Sequence, residues 1–320
     1  MSTTLLAVAP IFLLILLGWA LRRGDFPASG FWPMAEALTY YVLFPALLLD
    51  TCSRAAPGSA PVGRMALALV LAVCGLCVLL VAARRLVHPD GPAFTSVLQG
   101  AIRPNTYVGL AAASALLGRE GVSLAAMALL TLIPLVNVLA VAALGAWGAG
   151  REGAERQGEA APRSGLVRIL RELARNPLIL SCIAGYAISI AGLTLPKALS
   201  ETLRILGGSS LPLGLLAVGA GFQFSSVGRH LRGVAVSSAA KLLALPLLAF
   251  AACRLLGVDG PALAVAVIFT AIPVSASSFI LARQLGGDHG LMAAIITAQT
   301  VAAALTMPLI FSLLPLATGG

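Results

Sequence analysis

Charge is scarce in this sequence. Of 320 residues only 10% are Asp, Glu, Lys or Arg, against about 25% in soluble domains, and that shortfall excludes a soluble globule. Aromatic residues make up 6% and histidine occurs three times. His88, His230 and His289 all fall in expected loops, and no His/Asp pair lies within an apolar stretch. HExxH and GxSxG are absent, so no catalytic constellation is legible and the chain reads as a non-enzyme. The five cysteines lie mostly in apolar segments; Cys74 and Cys77 form a CxxC with neither a second pair nor a histidine nearby. They read as small buried hydrophobes, with no metal or redox site expected. Gly148 to Gly153 spells GxGxxG, yet no strand precedes it and no βαβ unit surrounds it, so no cofactor is expected. Alternating strands of a membrane barrel are also missing.

Apolar residues are what remains. They make up 59% of the chain, with mean hydropathy +0.98. A bilayer core about 30 Å thick needs roughly 20 apolar residues per helix, and lipid admits only helices or closed barrels. The expectation is an all-α membrane protein with ten spans, near 4–21, 31–50, 64–83, 94–117, 122–147, 177–193, 203–222, 234–255, 261–282 and 290–314. Net charge is +9, but the basic residues flank spans and form no aromatic-interleaved patch, so no nucleic-acid partner is expected. They orient the spans instead. With the N-terminus outside, thirteen Lys and Arg fall in inward loops and six in outward ones. This predicts a multi-pass protein of the cell (inner or plasma) membrane, with both termini outside and the central loop cytoplasmic. The first span carries its charges after the apolar run, unlike a signal peptide, and is expected to be retained.

The chain also repeats itself. Pro10 recurs as Pro177, Gly18 as Gly185 and Pro45 as Pro212, each 167 positions on. Asp90-Gly91-Pro92-Ala93 recurs as Asp259-Gly260-Pro261-Ala262, and Pro104 as Pro273, 169 positions on; Gly118 recurs as Gly286. Five spans per copy is an odd number, so the second copy enters the membrane upside down. Residues 1–148 form the first five-helix repeat and 176–320 the second. Between them, 149–175 combine a polar, Gly-rich cytoplasmic linker with a stretch (166–175) whose leucines share one helical face, expected on the membrane surface.

Chemistry concentrates in the fourth span, where Arg103-Pro104-Asn105-Thr106-Tyr107 lies about nine residues from the span's start. A mid-membrane arginine costs on the order of 2.5–3.5 kcal/mol and normally faces a partner or a wet cavity. Pro104 breaks the helix, leaving carbonyls before it and N–H groups after it without helical partners. Helix N-termini attract anions. The repeat-related break at Pro273 is followed by Ser275, Ser277 and Ser278. Together the two breaks make a candidate carboxylate site. Asn105 can also cap the restarted helix, and the serines can bond backbone carbonyls. Asn137, Lys241 and Gln299 are secondary polar candidates, which can equally serve as interhelical glue. Glu36 and Asp50 lie near span ends, where solvation suffices.

At these residues the chain resembles the auxin efflux carrier family, which includes plant auxin exporters and bacterial malonate-type carriers. The resemblance rests on Pro104-Asn105-Thr106 with Val108 and Gly109, on Asn176-Pro177-Leu178, on the stretch 211–221, on Lys241 with Pro246, and on Pro273 with Phe279 and Ala282. It covers essentially the whole chain. It implies a bile acid symporter-like fold of two inverted five-helix repeats with crossed, Pro-broken helices 4 and 9. Spans one, two, six and seven would form a scaffold that pairs as a homodimer, and the others a moving unit that carries a small organic anion through the bilayer by an elevator motion. Two departures stand out. Plant carriers have an apolar residue where Arg103 stands, and sodium-coupled bile acid relatives have an acid in the ninth helix where this chain has hydroxyls. The function expected is secondary transport of small organic anions, auxin- or malonate-like carboxylates; the alternative is a sodium- or proton-coupled symporter.

Overall fold

The computed structural model describes residues 2–28, 30–54, 62–148 and 175–313. The linker and surface helix expected across 149–175 lie, apart from Arg175, outside the described residues. The helices are α1 (Ser2–Arg23), α2 (Phe31–Ser53), α3 (Val62–Ala82), α4 (Gly91–Ile102), α5 (Thr106–Trp147), α6 (Pro177–Ile190), α7 (Lys197–Ala220), α8 (Leu231–Leu255), α9 (Gly260–Ala271), α10 (Ser277–Leu285) and α11 (His289–Leu313). One isolated antiparallel bridge joins Pro104 to Val274. Among the described residues six helices, α2, α3, α5, α7, α8 and α11, are long and apolar enough to cross a membrane. Their outer faces agree: Leu79, Leu247 and Leu305 are more than half exposed, an arrangement that suits lipid and not water.

Proline shapes several of these helices. α2 widens into a π-helical turn at Thr39–Leu43 just ahead of Pro45, and α8 does the same at Ala240–Ala244 just ahead of Pro246. A proline ring collides with the carbonyl four residues back and offers it no N–H. The wider turn absorbs both problems without ending the helix. At Pro104 and Pro273 the helix breaks outright. Arg103, Asn105 and Ile272 take extended backbone angles there. The 42-residue α5 is itself two helices, split at Gly118, whose φ of 59° and ψ of −141° lie outside the helical region.

The centre of the molecule is made of the two shortened helices. Every residue of α4 from Ala93 to Ile102 is buried, and so is every residue of α9 from Ala262 to Ala271. Away from that centre, α1 packs closely on α7 and α2 on α6. Gly18 permits the first approach, since a Cβ there would collide with the Leu216 carbonyl. Gly185 permits the second; a Cβ would lie 2.7 Å from Cys52 Cβ and 3.0 Å from the Leu49 carbonyl oxygen. Gly185 is the repeat mate of Gly18, and Leu49 that of Leu216, each 167 positions apart. The two contacts are therefore the same contact made twice with the roles of the halves exchanged.

Asp50 departs from the expectation of a solvated span end. It is buried and accepts from Arg54 Nη2 at 2.8 Å and from the Ser200 hydroxyl at 3.2 Å. The first turn of α7 supplies that serine and closes over the carboxylate, so an ion pair replaces the solvent.

Replacing Gly18 by Ala should lower the melting temperature of the detergent-solubilised protein, by an overpacking cost of about 1–3 kcal/mol. Gly75→Ala is the control, because a Cβ at Gly75 meets nothing within 4 Å.

Candidate functional site

The two breaks meet each other. The Asn105 N–H donates to the Pro273 carbonyl at 2.9 Å, beside the bridge between Pro104 and Val274. Prolines at both breaks remove donors, so carbonyls upstream lose their helical partners. Gly100, four residues before Pro104, is one of these, and its carbonyl accepts from Gln299 Nε2 at 3.1 Å. The same amide's Oε1 accepts the Val274 N–H at 3.0 Å, and its Nε2 also reaches the Ser237 hydroxyl at 3.2 Å. Ser237 in turn donates to the Val97 carbonyl at 3.1 Å. One fully buried side chain on α11 thus bonds both broken segments and α8 together.

The N–H groups after the breaks are largely satisfied at home. Asn105 Oδ1 accepts from Tyr107 N–H at 3.0 Å and Val108 N–H at 3.3 Å, an N-cap for α5. Ser278 and Phe279 donate their N–H groups to the Ser275 and Ala276 carbonyls. The sequence-based picture of convergent free N–H groups is corrected accordingly. What the half-helix N-termini offer is the field of their dipoles, since local caps take most of the donors.

A cavity of about 480 Å³ opens beside the crossing. The breaks contribute Arg103, Pro104, Asn105, Ser275, Ala276 and Ser277 to its wall. α5 adds Thr106, Tyr107, Ile133, Val136 and Asn137; α10 adds Ile280. α2 adds Pro33, Glu36, Ala37, Tyr40 and Tyr41, with Asn176 and Leu178 from the start of α6. Arg103 is 8% exposed, and its Nη2 donates to Ser277 Oγ at 3.3 Å. Ser277 and Ser275 hydroxyls lie 2.9 Å apart, so the charge of one break is wired to the hydroxyl pair of the other. Tyr107 stacks flat on Phe44 of α2, ring centroids 5.0 Å apart at 6°. Asn176 caps α6 as Asn105 caps α5, its Oδ1 accepting from Leu178 and Ile179 N–H groups.

The cavity therefore gathers Arg103, Pro104, Asn105, Thr106, Tyr107, Asn137, Ser275 and Ser277, and leaves out Pro273, Ser278, Lys241 and Gln299. Ser278 is buried with its hydroxyl lacking a hydrogen bond among the described residues. Lys241 is wholly buried in the π turn of α8, against α4, α9 and α11, and its Nζ likewise lacks one. Glu36, Tyr40 and Asn176 line the cavity although sequence reasoning did not place them there. The spacing of Pro33, Glu36, Ala37 and Tyr40 on one helical face was the available signal. Pro33 and Glu36 sit close to the start of the expected span 31–50, where a polar residue is ordinarily solvated.

The described residues form an all-helical body with lipid-suited outer faces and a cavity walled by two broken helices, features that suit a membrane transport protein. A family model described as "Membrane transport protein", that of the auxin efflux carrier family, matches residues 3–311, and the chain belongs to this family. The family is one of membrane transport proteins and not of enzymes. No curated protein matches the chain.

Gln299→Leu should leave the Gly100 carbonyl and the Val274 N–H buried and unpaired. Each lost partner costs about 1–3 kcal/mol. A lower melting temperature in detergent, with Thr306→Val as a control on the same helix, is the expected outcome.

Proposed function

We propose that this protein is a secondary transporter of small organic anions that works by elevator-type alternating access. The observation that carries the proposal is the cavity at the crossing, where Arg103 from one break bonds Ser277 from the other. In this reading α4 and the first part of α5 make one span and the remainder of α5 a second, while α9 and α10 make another. The spans then number ten, in two inverted repeats covering residues 1–148 and 176–320. The exchanged Gly18 and Gly185 contacts support that symmetry.

Contacts also divide the helices as an elevator requires. α1, α2, α6 and α7 pack chiefly on one another and would be the scaffold. α3, α4, α5, α8, α9, α10 and α11 pack around the crossing and would be the moving unit. The cavity lies between the two groups, with α2 and α6 forming its scaffold wall. An anion held at Arg103, Asn105, Thr106, Tyr107, Ser275 and Ser277 would travel with the crossing, and Asn137 would complete the wall. Ser278, behind the cavity, would support the serine pair. Lys241 and Gln299 would hold the crossing rather than the cargo. The protein would sit in the cell membrane with both termini outside and 149–175 cytoplasmic, and the scaffold helices would form the homodimer contact.

Symport with protons is the second reading, favoured by the presence of Glu36 in the cavity wall. Transport currents recorded with sodium and proton gradients imposed separately distinguish it from an uncoupled carrier.

In proteoliposomes Arg103→Ala should reduce uptake of small carboxylates by tenfold or more. Hydrogen bonds to charged groups contribute about 1.5–3 kcal/mol, and each 1.4 kcal/mol is a factor of ten. Unimpaired uptake by a well-folded Arg103→Ala protein would overturn the assignment. In the wild type, carboxylates that bind the native state should raise the melting temperature, by an amount that grows with the logarithm of ligand concentration over Kd.

A further inference from the structure

The cavity holds charges of both signs. Arg103 stands on the crossing side and Glu36 on the α2 side, and both line the same space of about 480 Å³. Glu36 makes no ion pair or hydrogen bond through its side chain among the described residues. Both side chains belong to residues that wall one cavity, so the two charges share its interior. An acid within a membrane helix is costly and normally meets a partner or a wet cavity.

A simple dicarboxylate fits this arrangement poorly, because its second carboxylate would approach Glu36. A plain monocarboxylate leaves Glu36 facing an apolar tail. The remaining wall is mixed: Tyr40 and Tyr107 contribute aromatic rings with hydroxyls, and Ile133, Val136 and Ile280 offer apolar surface. The volume falls in the usual range for small-molecule sites, about 300–1,000 Å³.

We propose that the cargo is a zwitterion with an apolar body, an amino acid of the leucine or phenylalanine kind, whose carboxylate meets Arg103 and whose ammonium meets Glu36. This deepens the proposed transport function and rests on the Arg103 site being where the carboxylate binds. Specificity then comes from two charges of opposite sign in the wall of one cavity. A ligand without an ammonium leaves the Glu36 carboxylate unanswered.

The test uses the full-length protein in proteoliposomes and in detergent, with L-leucine, L-phenylalanine, 4-methylpentanoate (leucine without its ammonium) and malonate as probes. Affinity from thermal shift and initial uptake rates are measured for wild type, Glu36→Gln and Arg103→Ala. The expected result is that wild type prefers leucine or phenylalanine over 4-methylpentanoate by tenfold or more, that Glu36→Gln erases this preference, and that Arg103→Ala weakens all carboxylates. If wild type takes 4-methylpentanoate or malonate as well as the amino acids, and Arg103→Ala still abolishes binding, the zwitterion proposal falls while the anion site stands. If Glu36→Gln removes only the dependence of uptake on a proton gradient and leaves the preference unchanged, Glu36 is a proton carrier and the proposal is overturned. If no probe binds and Arg103→Ala changes nothing, both readings fail. Glu36→Asp, which keeps the charge, should retain the preference for amino acids and shows that loss in Glu36→Gln is not misfolding.

Discussion

A backbone amide or carbonyl buried away from water must find a partner. The rest of this structure depends on how that constraint is met at two prolines. Pro104 and Pro273 each interrupt a helix in the most enclosed part of the molecule, where every residue of α4 and α9 from Ala93 to Ile102 and from Ala262 to Ala271 is buried. The interrupted segments answer one another directly through the Asn105 N–H and the Pro273 carbonyl, and indirectly through Gln299. A glutamine suits this position because one amide carries a donor and an acceptor on the same rigid plane. It accepts from one break and donates to the other. Irregular backbone at this depth is tolerated because it is enclosed by protein on one side and lines a cavity on the other.

Helix packing around that centre relies on small residues, because lipid gives apolar helices little reason to prefer each other over acyl chains. Gly18 and Gly185 let α1 and α6 approach the backbones of α7 and α2. Those four helices pack chiefly on one another, and α2 and α6 also contribute to the cavity wall beside the crossing. Tyr107 on Phe44 is the flat aromatic contact across that boundary. In the proposed carrier, a stacked pair lying along the boundary gives a surface over which one unit can slide.

Much of the fold was legible because lipid imposes simple rules. Apolar length gave several helices to within a few residues, as with Val62–Ala82 for 64–83 and Leu231–Leu255 for 234–255, whereas the stretches expected as single spans at 94–117 and 261–282 are each broken at a proline. Proline marked both breaks and both π turns, although sequence alone could not tell Pro45, which widens a helix, from Pro104, which ends one. That difference depends on what stands ready to accept or donate nearby. Of the candidate site, Arg103, Asn105 and Ser277 were legible as polar residues at mid-span. Glu36 and Asp50 were not, because a carboxylate near a span end looks the same whether it meets water, an arginine or a cavity. Asp50 turned out to meet Arg54 and Ser200, and Glu36 the cavity.

The sequence by itself determined that the chain is helical and suited to lipid, that landmarks in its two halves recur at a near-constant offset, and that prolines 169 positions apart mark two helix breaks. Composition and spacing suffice for this, because hydropathy, proline and repeat offset are properties of the chain alone. Tertiary structure decided which groups those breaks meet. It assigned Gln299 to the carbonyl that Pro104 orphans, spent the Asn105 side-chain oxygen on capping α5, and set Glu36 in the same cavity wall as Arg103. Hydrogen-bond partners and shared cavities join residues far apart in sequence, and only the packed helices bring them within reach.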